Sequence, residues 1–296
     1  MIRTMTITHL LRRLGLALLA GLFASGALAQ ADNPPLWKVG DKVTLFGSFH
    51  LLPPEVKWRT PALEQALQES LTVVFETDSS EATGEKGMQP LVVKYGLLPA
   101  GQSLSAILPA KTNVELERVA GDLRLPVANL SSMRPWLAGL VLGVQSMINQ
   151  GYDPAKGVEQ QLIAWARQND KAFASLETLE SQIRIFADLT RDEEIILLAV
   201  SLRQIREMPG ALNDLLAAYR KGDLATLERL LNAGFNEQPA LRRKVLGERH
   251  RQWLPRIEKM IATGRPHVIV VGAAHLVGPD GLVAMLRAKG HKVEGP

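Results

Sequence analysis

A glycine followed three residues later by a histidine closes an apolar run near each end of this chain. Gly47-Ser48-Phe49-His50 follows Val43-Thr44-Leu45-Phe46, and Gly272-Ala273-Ala274-His275 follows Val268-Ile269-Val270-Val271. Short apolar runs of this kind read as buried strands, and a glycine lets the backbone turn tightly after them. Each imidazole then falls in the loop at the carboxyl end of a strand, the edge of an open α/β sheet where ligands bind. For the two to share one site, strands from opposite ends of the chain must lie side by side.

Between them the chain first alternates strand and helix signals and then turns almost wholly helical. Thr60-Pro61 opens a helix, with a hydroxyl to cap it and a proline where no N–H is needed. Leu71 to Phe75 is the next strand, ended by Glu76-Thr77-Asp78. With the first strand it predicts a parallel βαβ unit with a right-handed crossover. Residues 30–40, with Pro34, Pro35 and Gly40, read as a mobile leader, and 79–90 as a polar loop. Thr112-Asn113-Val114-Glu115 reads as a capping box opening a helix to about Leu123. Pro135 to Asn149 is apolar on most sides, as in a buried helix or one lining a substrate groove. Lys171 to Leu176 reads as a third strand, ended by Glu177. Gln238 to Thr263 is basic and amphipathic, with a kink expected near Pro255 and its charges read as a solvated face. His291-Lys292-Val293 reads as an edge strand, and Pro279-Asp280 as the start of the last helix. The pattern predicts one α/β domain over residues 30–296. Its mostly parallel sheet comes from the N- and C-terminal segments, with a large helical insertion at about 85–168 and 179–264.

Residues 1–29 read as a secretory signal peptide: Arg12 and Arg13, a short apolar run from Leu14 to Leu22, then Ala27-Leu28-Ala29 as the cleavage site. The run is too short to span a bilayer comfortably, so no stable membrane anchor is expected after cleavage. An exported chain with no cysteine fits the periplasm and excludes thiolate metal sites. Net charge is +4, but Arg3, Arg12 and Arg13 lie in that leader with no acid, so the body is near neutral. Nothing in it suggests a nucleic-acid partner.

All four clear strands end in groups fit for acid–base or metal chemistry: His50, Glu76 with Asp78, Glu177, and His275. On parallel strands these converge on one edge. Two imidazoles and one or two carboxylates make a nitrogen/oxygen site suited to Mn²⁺, Co²⁺, Zn²⁺ or Fe²⁺, which would acidify a bound water. No G-x-S-x-G elbow, P-loop, H-E-x-x-H or G-x-G-x-x-G is present, which leaves serine-hydrolase, nucleotide-binding and zincin readings without support.

At these residues the chain resembles the TraB/GumN family, whose animal relatives are the Tiki proteases, over essentially the whole of the expected mature chain. Gly47 to Pro53 is similar to the family's opening G-T-x-H-x-L-P, with Ser48 in place of threonine. Val74 to Asp78 resembles its acidic strand end, Gly157-Val158-Glu159 its G-V-D, and Leu176-Glu177-Thr178 with Gln182 its L-E-T…Q. Arg249 to Trp253 resembles its R-N-x-x-W, with His250 where asparagine is usual, and Gly272 to Leu282 matches the closing motif. The resemblance implies the erythromycin-esterase/ChaN-like fold group and a metal-dependent hydrolase acting on a peptide or small molecule, with Mn²⁺ or Co²⁺ favoured and Zn²⁺ an option. His50, His275 and Glu76 would hold the metal. Asp78 or Glu177 would orient a ligand or act as base, and Arg249 would stabilise an oxyanion. Two alternatives stay open: a metal-free esterase-type hydrolase with His50 or His275 as general base, and a non-catalytic protein binding a metal, haem or peptide.

Overall fold

The computed structural model describes residues 32–77, 87–207 and 210–296. The expected signal peptide with its cleavage site, and Asp78, lie outside the described residues. From Asn33 onward the chain forms one compact unit.

Its centre is a six-stranded sheet: β1 Leu36–Val39, β2 Val43–Ser48, β3 Thr72–Phe75, β4 Ala172–Ser175, β5 His267–Gly272 and β6 Val293–Glu294. They lie in the order β4-β3-β5-β2-β1-β6. β2, β3, β4 and β5 are mutually parallel, whereas β1 runs antiparallel to both β2 and β6. One sequence expectation is corrected. Residues 36–39 are no mobile leader, because their alternating burial lets Trp37 and Val39 pack against the core while the backbone pairs with β2. β2 and β3 are parallel, as expected, with β5 between them. That insertion joins the two ends of the chain: Gly47 pairs with Val271 and Ser48 with Gly272.

The apolar runs are continuous because both faces of the sheet are covered, as parallel sheets require. Along β5, Val268 and Val270 pack on one side with Phe46, Leu63, Leu67, Leu162 and Tyr219. Ile269 and Val271 pack on the other with Leu45, Trp253, Ile257, Leu282 and Leu286. The helix Pro61–Glu69 starts as expected, with the Thr60 hydroxyl accepting from the Leu63 N–H.

The inserted helices build a further core of their own, in which Pro135–Asn149 packs on Arg191–Glu207 around Leu142, Leu198 and Leu202. Helix boundaries differ from the sequence reading at three places. A helix Met88–Gly96 begins inside the expected loop. The next long helix starts at Ala110 behind Pro109, without the Thr112 capping box. The last starts at Leu282, two residues beyond Asp280. Pro255 lies inside a continuous helix, Glu248–Ala262, which is preceded by a π-helical turn, Arg243–Gly247. Among the described residues no helix is long and apolar enough to cross a membrane.

Candidate functional site

The carboxyl ends of β2, β3, β4 and β5 meet as the spacing predicts. β3 and β4 continue to pair past their last strand residues, with the Leu176 N–H on the Phe75 carbonyl and the Glu177 N–H on the Glu76 carbonyl. This sets the two glutamates side by side. Both are buried, as are Arg249, His250 and His275.

Arg249 is the hub. Its Nη2 donates to Glu76 Oε2 at 2.5 Å and to Glu177 Oε1 at 2.6 Å, its Nε donates to Glu177 Oε1 at 3.1 Å, and its Nη1 lies 2.8 Å from His275 Nε2. Trp253, one helical turn further on, offers its ring to the guanidinium at 4.5 Å. Glu76 is fixed from three sides. The Gly272 amide donates to its Oε1 at 2.7 Å, while Arg249 and Gln182 (3.2 Å) donate to Oε2. A Cβ on Gly272 would stand 3.3 Å from that carboxylate oxygen, so glycine there lets the backbone come close.

The charges follow from this packing. Burial opposes ionisation of Glu76, but His275, Arg249 and the Gly272 N–H hold its carboxyl below the usual range. Burial pushes His275 well below its ordinary value, so the ring is neutral. With a neutral His275 the depression of Glu76 falls mainly to Arg249, followed by His50 and the Gly272 amide. Burial raises Glu177 against the pull of Arg249, and lowers His250 to about 4.

His50 stands apart from this cluster, at the rim. Its Nδ1 lies 3.1 Å from Glu159 Oε1, and the Ser48 hydroxyl donates to the same oxygen. The Glu159 carboxylate raises the His50 pKa to about 9, although the side chain is 62% exposed and water screens the pair. Nε2 of His50 has no partner among the described residues. Gly157 is needed here, because a Cβ would stand 2.1 Å from the His50 carbonyl oxygen.

A cavity of about 390 Å³ joins the two groups. It is lined by Ser48, His50, Glu76, Arg249 and His275, and by the apolar Trp136, Leu137 and Leu140 of the Pro135–Asn149 helix. That helix thus lines a groove, one of the two arrangements its composition allows. The Trp136 indole N–H and Glu159 Oε2 are buried without a partner among the described residues.

Of the sequence candidates, Glu76, Glu177, Arg249 and His275 are in direct contact and His50 shares their cavity. Sequence reasoning did not assign roles to Glu159 or His250, and it noted Gln182 only by resemblance. Glu159 sits in a helix's first turn, where an acid is ordinarily a dipole partner. A divalent ion does not fit the donors as they stand. His275 Nε2 is turned to a guanidinium, both Glu76 oxygens are engaged, and a cation already sits among the carboxylates. Among the described residues no group of three or more His, Cys, Asp or Glu is placed to hold a metal.

An α/β protein with a mostly parallel sheet and a buried Arg–Glu–Glu–His cluster beside a His–Glu pair is what fold and site define. The chain belongs to the TraB/PrgY/gumN family, whose model matches residues 35–295. It is similar to the uncharacterized protein YbaP of Escherichia coli (strain K12), at 23% identity over 243 residues that cover 82% of this chain and 87% of that protein. The YbaP protein of Shigella flexneri is similar to the same extent. No solved structure matches the chain.

Proposed function

We propose that this chain is an exported hydrolase that cleaves the C–N or C–O bond next to a carbonyl, a peptide bond foremost, with His50 as general base. One observation carries the reading: His50 is held at Nδ1 by Glu159, its Nε2 is free, and it borders the same cavity as Arg249. A base oriented through one nitrogen can take a proton from water at the other. Water then attacks the carbonyl carbon, His50 receives its proton, and the C–N or C–O bond breaks as His50 returns the proton to the leaving group. Arg249 retains one Nη1 hydrogen beyond those given to His275, Glu76 and Glu177, and this hydrogen would meet the developing oxyanion. Because Glu159 favours protonated His50, the rate should rise with pH towards about 9.

The test is hydrolysis of a peptide and ester library by the purified mature chain, in chelator and with added Mn²⁺ or Co²⁺, with His50→Ala as control. Activity that persists in chelator and disappears in His50→Ala supports the proposal. Activity seen only with added metal would replace it by the metal-dependent reading, and would require Arg249 to leave His275. Full activity of His50→Ala would reject both. Export is tested separately, by mass spectrometry of the secreted chain for cleavage after Ala29.

A further inference from the structure

His250 lies beneath the site, 1% exposed, and no step of the hydrolysis uses it. Its Nε2 is 2.8 Å from His275 Nδ1, and its Nδ1 is 2.8 Å from the Asp280 carbonyl oxygen. The two rings meet edge to face at 5.0 Å. Together with Arg249 Nη1 on His275 Nε2, these contacts form an unbroken chain from guanidinium to backbone carbonyl.

The direction of every hydrogen bond in it is settled by chemistry. Arginine has no acceptor, so Nη1 must donate and His275 Nε2 must be bare. A neutral imidazole with a bare Nε2 carries its proton on Nδ1, which donates to His250 Nε2. That nitrogen is therefore also bare, and His250 Nδ1–H donates to the Asp280 carbonyl. A carbonyl can only accept, so the assignment made from the arginine end agrees with the one made from the carbonyl end. A proton added to either ring would set donor against donor.

We infer that His250 is a positioning residue: by accepting from Nδ1 of His275 it fixes the tautomer whose bare Nε2 holds the Arg249 guanidinium toward the cavity. The anchor at the far end is itself tied down, since the Asp280 carboxylate receives Arg242 at 2.8 Å. Any side chain with an acceptor toward His275 and a donor toward the Asp280 carbonyl meets the requirement. Asparagine carries both groups; leucine carries neither. The catalytic consequence rests on the proposed role of Arg249, whereas the tautomer does not.

The experiment is ¹⁵N–¹H long-range correlation NMR on ¹⁵N-histidine-labelled protein, which separates Nδ1–H from Nε2–H imidazoles, on wild type, His250→Asn and His250→Leu. Wild type and His250→Asn are expected to show His275 as the Nδ1–H form. In His250→Leu this signature is lost, and where hydrolysis is measurable kcat falls about 10- to 100-fold with KM little changed, the scale of losing an orienting partner. An unchanged His275 signature in a folded His250→Leu overturns the inference. So does an Nε2–H form in wild type, which decides the matter even where the leucine variant does not fold. A wild type with the expected tautomer but no hydrolysis leaves the inference standing and removes the proposed activity instead.

Discussion

Arg249 neutralises two buried glutamates while being nearly buried itself, so its removal has a definite sign. Arg249→Met leaves Glu76 and Glu177 in the interior without a counter-charge. It should cost about 3–5 kcal/mol in urea unfolding at neutral pH. The loss should shrink in acid, where the orphaned carboxylates protonate. At the rim the sign is opposite. His50 has its pKa raised from 6.5 to about 9 by Glu159, so the pair's contribution is fully present below 6.5 and fades as pH rises through about 9. NMR titration of His50 should show the raised value, and Glu159→Gln should return it toward 6.5. Gly157→Ala should displace His50, because the new methyl meets a backbone carbonyl that cannot rotate away. A cost of about 1–3 kcal/mol is expected, with activity falling more than stability does.

At the scale of elements, two helices carry the cluster, and each has a local device that aims it. Leu179–Ala187 brings Gln182 to Glu76 and begins at a reciprocal cap between Thr178 and Ser181. Thr178→Ala should cost about 1 kcal/mol in thermal or urea unfolding. Glu248–Ala262 presents Arg249, His250 and Trp253 to the sheet edge just after the π-helical turn at Arg243–Gly247. A π turn adds a residue to the helix and shifts everything after it by about 100° of phase. The basic stretch is amphipathic in sequence, which reads as a solvated face. Arg249 alone among its cations lies at the buried centre, on the same helix face as Trp253 and Ile257, and its counter-charges come from strands far away in sequence. The missed strand β1 has a similar cause. Its four residues follow two prolines, and only pairing with β2 gives Trp37 and Val39 a core to enter.

In the whole molecule, the histidine chain makes stability depend on pH. His250 is lowered to about 4 in the folded state, below its ordinary 6.5. The unfolded chain therefore binds more protons between those values, and folding stability falls as pH drops from 6.5 toward 4. Urea midpoints measured across that interval should show the decline, and His250→Asn, which has no proton to take up there, should make it shallower while the share of the neutral His275 remains. The family assignment covers the same compact unit, residues 35–295.

The local alphabet was legible from residues alone: apolar β-branched runs, a glycine after each, and an acid or imidazole at each strand end. These signals depend on neighbours within a few positions, which is the range that burial periodicity and turn chemistry reach. They placed His50, Glu76, Glu177 and His275 at one sheet edge. What they did not determine is which partner each group takes. β5 slips between β2 and β3, a helix from far along the chain delivers a guanidinium, and the acids and imidazole that suggested a metal centre close around that cation instead. Those pairings are decided by burial and charge in the folded interior, where an unpaired ion is too costly to persist and the nearest counter-charge comes from tertiary packing rather than from sequence spacing.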